Sequence, residues 1–154
     1  MRSWTIVDYY LRRTPSFWSV KRALQGVHIV LAEEGDDITV YGINETLEAV
    51  SCELRYGIFE LAGQYVMDER KDVVLPPNTS TRLASFPRER WEDVNSSLAF
   101  GMLLRDGRVI AKNRLALPLM KELRWPKADV KIKVEGGRAV FVSDAFAWGV
   151  CLDL

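Results

Sequence analysis

The stretch that decides the fold is "SLAFGMLLRDGRVIAKNRLAL", residues 97–117. Two apolar, alternating segments flank Asp106-Gly107. An Asp-Gly pair tolerates positive φ at both central positions of a type I′ turn, the turn whose twist matches two antiparallel strands. The stretch therefore predicts a tight β-hairpin. Moving outward, the period of two persists. "VHIVLAE" (27–33) and "DITVYGIN" (37–44) read as strands joined through Gly35-Asp36. "VSCELRYGIFEL" (50–61) is a longer strand with Cys52, Leu54, Tyr56 and Ile58 on one face. "QYVMDERKDVVL" (64–75) supplies a fourth strand. Pro76-Pro77-Asn78 interrupts the chain before "STRLASFP" (80–87). About seven strands with regular turn signals over residues 27–117 predict a mainly β fold, an immunoglobulin-like β-sandwich.

The two flanks read differently. Thr14 suits a helix N-cap, Pro15 the first helical position, and Gly26 a position past the end. Phe17, Val20 and Leu24 recur at i, i+3 and i+7, and Trp18 widens that apolar stripe. This single helix follows an aromatic-dense run, "SWTIVDYYLRRTPSFWSVKRAL" (3–24). Its apolar face requires a partner: the sandwich, or a surface contributed from elsewhere. After the sandwich, residues 118–128 contain two prolines and no alternation, and read as a linker or one helical turn. Residues 129–154 then start a new meander: strand, Gly136-Gly137 turn, strand, short connection, strand. So short a meander cannot enclose a core, and reads as an incomplete second β-sandwich.

Composition excludes several classes. Of the 154 residues, 48% are hydrophobic and 27% charged, an ordinary globular balance. Lys plus Arg is 21 and Asp plus Glu is 21, so the chain lacks the basic excess of a nucleic-acid binder. No apolar run approaches the ~18 residues that suggest a membrane span. Two cysteines, Cys52 and Cys151, are too few for a disulfide scaffold and lack metal-ligand spacing. They read as buried free thiols, which suit a reducing, cytoplasmic compartment. Asn44, Asn78 and Asn95 stand in N-x-S/T sequons; with no signal peptide in view they read as turn residues.

The aromatic opening resembles a known family. The run "SWTIVDYYLRRTPSFWSVKRAL" is similar to the segment closing the catalytic barrel in β-mannosidases of glycoside hydrolase family 2. There, Ser-Trp-Ser-x-Val-Asp-Tyr-Tyr leads into the last barrel helix. This chain keeps Ser3, Trp4, Val7, Asp8, Tyr9, Tyr10, Pro15, Lys21, Arg22 and Ala23, with Thr5 where Ser is usual. "VYGINETLEAVSCELRYGIFELAGQ" (40–64) resembles the accessory immunoglobulin-like domain that follows. "VEGGRAVFVSDAFAWGVCLDL" (134–154) resembles the start of the family's final sandwich. The resemblance implies that residues 1–26 are a remnant of the barrel's end. Residues 27–117 would be the accessory sandwich, 118–128 a linker, and 129–154 the start of a further sandwich. The family hydrolyses β-mannosides with retention, using two glutamates on the barrel. Neither motif is present here. The resemblance therefore implies a non-catalytic accessory region, with no cofactor, whose partner is the rest of the glycosidase or a second copy of the chain.

Other chemistry is weighed residue by residue. His28 is the only histidine, at the start of an apolar strand and without a nucleophile-elbow pattern. Carboxylates cluster at Glu33-Glu34, Asp36-Asp37, Glu89 and Glu92-Asp93, mostly beside turns where solvated acids are ordinary. Gly136-Gly137 and Asp106-Gly107 are turn residues and form no phosphate-cradling loop. Lys131 and Lys133 alternate as on a solvated strand face. Sugars stack on flat aromatic faces, so an exposed Trp on a sandwich can mark a carbohydrate-binding module. Trp91 and Trp125 lie in non-strand segments. Trp91 is accordingly the candidate carbohydrate-binding residue and an oligosaccharide the candidate ligand. Trp125, beside Pro126, fits a plug at the step into the last segment. Trp4 and Trp18 are expected in a core or interface.

Overall fold

In the computed structural model, residues 6–150 are described. Seven strands build the centre. They are β1 (Val27–Glu34), β2 (Asp37–Asn44), β3 (Val50–Glu60), β4 (Tyr65–Leu75), β5 (Thr79–Pro87), β6 (Ser97–Arg105) and β7 (Arg108–Leu115). They form two antiparallel sheets, one ordered β1-β2-β5 and the other β4-β3-β6-β7. The chain is an immunoglobulin-like β-sandwich. The deciding hairpin forms as its turn chemistry dictates: Asp106 and Gly107 take φ of 51° and 71° between β6 and β7.

Alternation along each strand sets the core. In β3, Val50, Cys52, Leu54, Tyr56 and Ile58 are buried while Ser51 is exposed. They meet Ile29, Leu31, Ile38, Val40, Leu83 and Phe86 from the opposite sheet. Because side chains alternate with period two, a one-residue slip would turn this row into solvent, which fixes the register.

On the outer face of the same sheet, Arg55 and Asp68 form a two-pronged pair, with both contacts at 2.7 Å. The Arg55 hydrogen bonds hold the Asp68 carboxyl below its ordinary value of 3.8. A depressed folded-state pKa stabilises above the unfolded value and is lost as pH falls through the folded one. Acid titration of stability is thus expected to show a loss beginning near pH 4 and continuing below it. Asp68→Asn should flatten that limb, read as the denaturant midpoint at pH 3 and pH 7.

The helix α1 (Pro15–Ala23) starts where Thr14 and Pro15 place it. Thr14 occupies the N-cap position in extended backbone, but its hydroxyl does not cap the first turn. It donates to the Ile6 carbonyl at 3.0 Å and lies 2.7 Å from the Ser16 hydroxyl. Preceding it, residues 7–13 close a loop on Asp8, whose carboxylate accepts from the Tyr10 and Arg12 amides, both at 2.9 Å. No residue of α1 is buried: Phe17 and Val20 are half-buried, and Leu24 is 80% exposed. The helix face expected to need a partner is therefore not covered by the sandwich. Trp4 and Cys151 lie outside the described residues.

Residues 118–128 fold against the sandwich. A short 3-10 turn at Met120–Glu122 aims Leu123 into a small core with Leu61 and Leu98. Arg124 fastens it by pairing with Asp93 at 2.6 Å. Beyond it, β8 (Val130–Glu135) and β9 (Arg138–Ser143) form a two-stranded ribbon around Gly136-Gly137. The third strand expected after residue 143 does not form among the described residues. The Phe146 amide donates instead to the Leu61 carbonyl at 2.8 Å, and its ring packs on Phe59 at 5.2 Å.

Candidate functional site

Trp91 is the residue the sequence offers for sugar stacking, and its position is decided by a turn. Arg88–Arg90 make one turn of 3-10 helix, closed by the Trp91 amide on the Arg88 carbonyl at 2.9 Å. That turn rotates the indole inward. Its side chain is 3% exposed and joins the main core. The indole N–H donates to the Ser97 hydroxyl at 2.7 Å, and that hydroxyl bonds the Asp93 carbonyl. With no ring face open to water, Trp91 is a structural residue in this conformation, and no sugar can stack on it. The sequence leaves Trp91 open to exposure or to plugging a junction because the segment lacks alternation, and a 3-10 turn hides which way the residue after it points.

The other sequence candidates disperse. His28 lies 3.4 Å from Glu45 on the solvent side. Glu33 pairs with Arg88 at 3.1 Å, Glu34 accepts from the Tyr41 hydroxyl at 2.8 Å, and Asp37 faces Arg82 at 3.8 Å. These acids each take a separate partner around the β1–β2 turn and do not face one another as a glycosidase pair does. Among the described residues, no three His, Cys, Asp or Glu side chains gather as a metal site requires. Burial pushes the Cys52 thiol above its ordinary value, which disfavours the reactive thiolate.

What the fold does bring together is a groove beside β7. Lys112 and Arg114 alternate along that strand, and Arg22 reaches toward them from α1. Trp18, Phe146 and Trp148 complete the walls of a cavity of about 390 Å³. A neighbouring cavity of about 330 Å³ shares Lys112, Arg114 and Phe146 and adds Phe59, Tyr65 and Phe100. Phe146 lies at the hub. It stacks on Trp125 at 6.3 Å and touches Trp148 at 6.2 Å, while the Arg114 guanidinium sits 4.8 Å over its ring. Trp125 also donates its indole N–H to the Met120 carbonyl at 3.0 Å, at the step between the sandwich and the ribbon.

Arg22, Lys112 and Arg114 make the α1 side of the groove positive, while Asp144 lines the neighbouring cavity. Partial burial lowers the Arg114 pKa, and Arg22 adds to that; Lys112 is lowered by burial, then by Arg114 and Arg22. Like charges held close disfavour their own charged forms. The sequence held one signal of this, the alternation of Lys112 and Arg114 opposite the "AFAW" run (145–148). Only the docking of residues 144–150 joins the two.

The profile of the Mannosidase Ig/CBM-like domain family matches residues 36–122. The chain belongs to that family. It is an accessory immunoglobulin-like domain of the kind glycosidases carry. No curated protein matches the chain by sequence. Among solved structures, it is similar to the β-D-mannosidase of Dictyoglomus thermophilum, at 25% identity and a TM-score of 0.78 over 93% of this chain and 18% of the enzyme's. A β-glucuronidase from glycoside hydrolase family 2 aligns at 14% identity and a TM-score of 0.42, over 78% of this chain and 13% of its own. A family 2 glycosyl hydrolase of Bacteroides cellulosilyticus aligns at 14% and 0.39, over 79% and 17%. The chain thus spans less than a fifth of the D. thermophilum enzyme's length.

Proposed function

We propose that the chain is a packing module of a β-mannosidase-type glycosidase: it buttresses a catalytic barrel and sets the positions of neighbouring domains without touching the scissile bond. One observation carries this reading. The likeness to the D. thermophilum β-D-mannosidase covers 93% of the chain at a TM-score of 0.78. It therefore extends well beyond the sandwich match at 36–122 and takes in flanking segments. The unburied apolar face of α1 supports it, because Trp18 and Leu24 present the surface that a barrel wall would cover.

The full 154-residue chain is tested directly. Incubated with 4-nitrophenyl β-D-mannoside, it is expected to release no nitrophenol above buffer. Titrated with mannobiose to mannohexaose, it is expected to leave tryptophan fluorescence unchanged. Turnover lost on a Glu→Gln substitution would make the chain an enzyme, and saturable quenching would make it a carbohydrate-binding module. Without a barrel to cover α1, a second copy is the available cover. Light scattering is expected to show a monomer at micromolar concentration shifting toward dimer as concentration rises, and Leu24→Glu should abolish the shift.

A further inference from the structure

We infer that the groove beside β7 is a docking site for an extended, acidic polypeptide segment, whose carboxylates would pair with Arg22, Lys112 and Arg114. The inference rests on the packing-module reading, and it adds the chemistry of the contact.

Charge is the first argument. Among the described residues, none of the three cations has a carboxylate partner. Arg22 donates only to the Ser19 hydroxyl at 3.1 Å, and Arg114 lies over the Phe146 ring at 4.8 Å. Six other arginines do have a carboxylate partner: Arg55 with Asp68, Arg70 with Glu53, Arg82 with Asp37, Arg88 with Glu33, Arg90 with Glu69 and Arg124 with Asp93. What sets these three apart is that they line one cavity together with no carboxylate partner among the described residues, and an anionic occupant relieves the repulsion between them.

Shape is the second. Three cavities follow one another along β7. They share Lys112 and Asn113, and two of them share Arg22. A connected trough takes an extended chain better than it takes a compact ion. Lys112 and Arg114 are two residues apart on one face of a strand, about 6.6–6.8 Å along it, which is also the repeat of alternate side chains in an extended peptide. Alternate acidic residues would therefore meet both.

The third argument is the rim. Trp148 is 57% exposed and Trp18 44% exposed, and both line the trough beside the cations. Exposed Trp next to Arg is the composition of interface hot spots, where large rings exclude water from a charged contact and strengthen it. Alternate apolar side chains of the same segment would lie on these rings.

The probe is the peptide Ac-Glu-Phe-Glu-Phe-Glu-NH2, titrated into the full chain at low salt while tryptophan fluorescence is followed. Saturable binding is expected, weakened at least tenfold by the double substitution Lys112→Gln with Arg114→Gln. It should also be weakened by raising NaCl from 50 to 300 mM. Lys131→Gln with Lys133→Gln, on the exposed face of β8, should leave it unchanged. Thermal melts confirm that each variant is folded, and Arg22→Gln alone gives a milder second test. Equal binding of the Gln-for-Glu peptide, or no effect of the β7 double variant, would overturn the inference. Tighter binding of D-glucuronate than of the peptide would also overturn it, in favour of a sugar-acid site. Failure of the packing-module reading would appear separately, as mannoside turnover, which these titrations do not measure.

Discussion

Replacing Trp91 with alanine is expected to lower stability by about 4 kcal/mol, the usual cost of deleting a fully buried indole and leaving a cavity. In a chain of this size that is a fall of roughly 8–16 °C in Tm. The cause is local. Trp91 fills the space under the 3-10 turn at Arg88–Arg90 and ties it to Ser97, whose hydroxyl reaches on to Asp93. Trp91→Phe keeps one aromatic ring in the core but loses the indole hydrogen bond and the volume of the second ring, so about 2 kcal/mol is expected. The two variants separate structural from ligand-binding roles. A sugar platform on the surface would give a stable alanine variant that no longer binds; a core residue gives an unstable one with nothing lost in binding. Denaturant melts of both variants beside the mannan-fragment titration decide it.

Asn44→Ala is expected to cost about 3 kcal/mol, since several buried polar groups lose their partner at once. Asn44 is fully buried at the end of β2. Its amide nitrogen lies 2.8 Å from the Glu48 carbonyl, 3.0 Å from that of Leu75 and 3.1 Å from that of Pro76. Its carbonyl oxygen accepts from the Thr46 amide at 3.0 Å and the Thr46 hydroxyl at 2.7 Å. One side chain thus ties the β2–β3 connection to the end of β4. Asn44→Asp should be at least as damaging, because a carboxylate would face three carbonyl oxygens with no proton to offer. Equilibrium urea unfolding of the three proteins measures the differences. Asn44 read as a turn residue in a sequon, and a turn residue it is. That it also bridges to residues 31 and 32 positions further along required the fold.

The same division runs through the molecule. All seven strands of the sandwich were legible, because each carries its own period-two pattern and each tight turn its own Gly or Asp. The helix was legible from Thr14, Pro15 and the Phe17–Val20–Leu24 spacing. Two features were not. Among the described residues no strand follows residue 143, and Phe146 docks on Phe59 and Leu61, more than eighty positions away. Trp91 turned inward for a similar reason: the room beneath its turn is made by other strands. Nor does any local pattern set Lys112 and Arg114 beside Arg22, which is ninety positions earlier in the chain.

By itself the sequence determined the elements and the likeness to family 2 β-mannosidases, since hydrophobic period, turn residues and short motifs are all local properties of the chain. Tertiary structure alone decided which tryptophan is buried, which cations gather in one groove, and where residues 144–150 settle. These depend on volume and charge brought together from distant segments, and no window along the chain contains them.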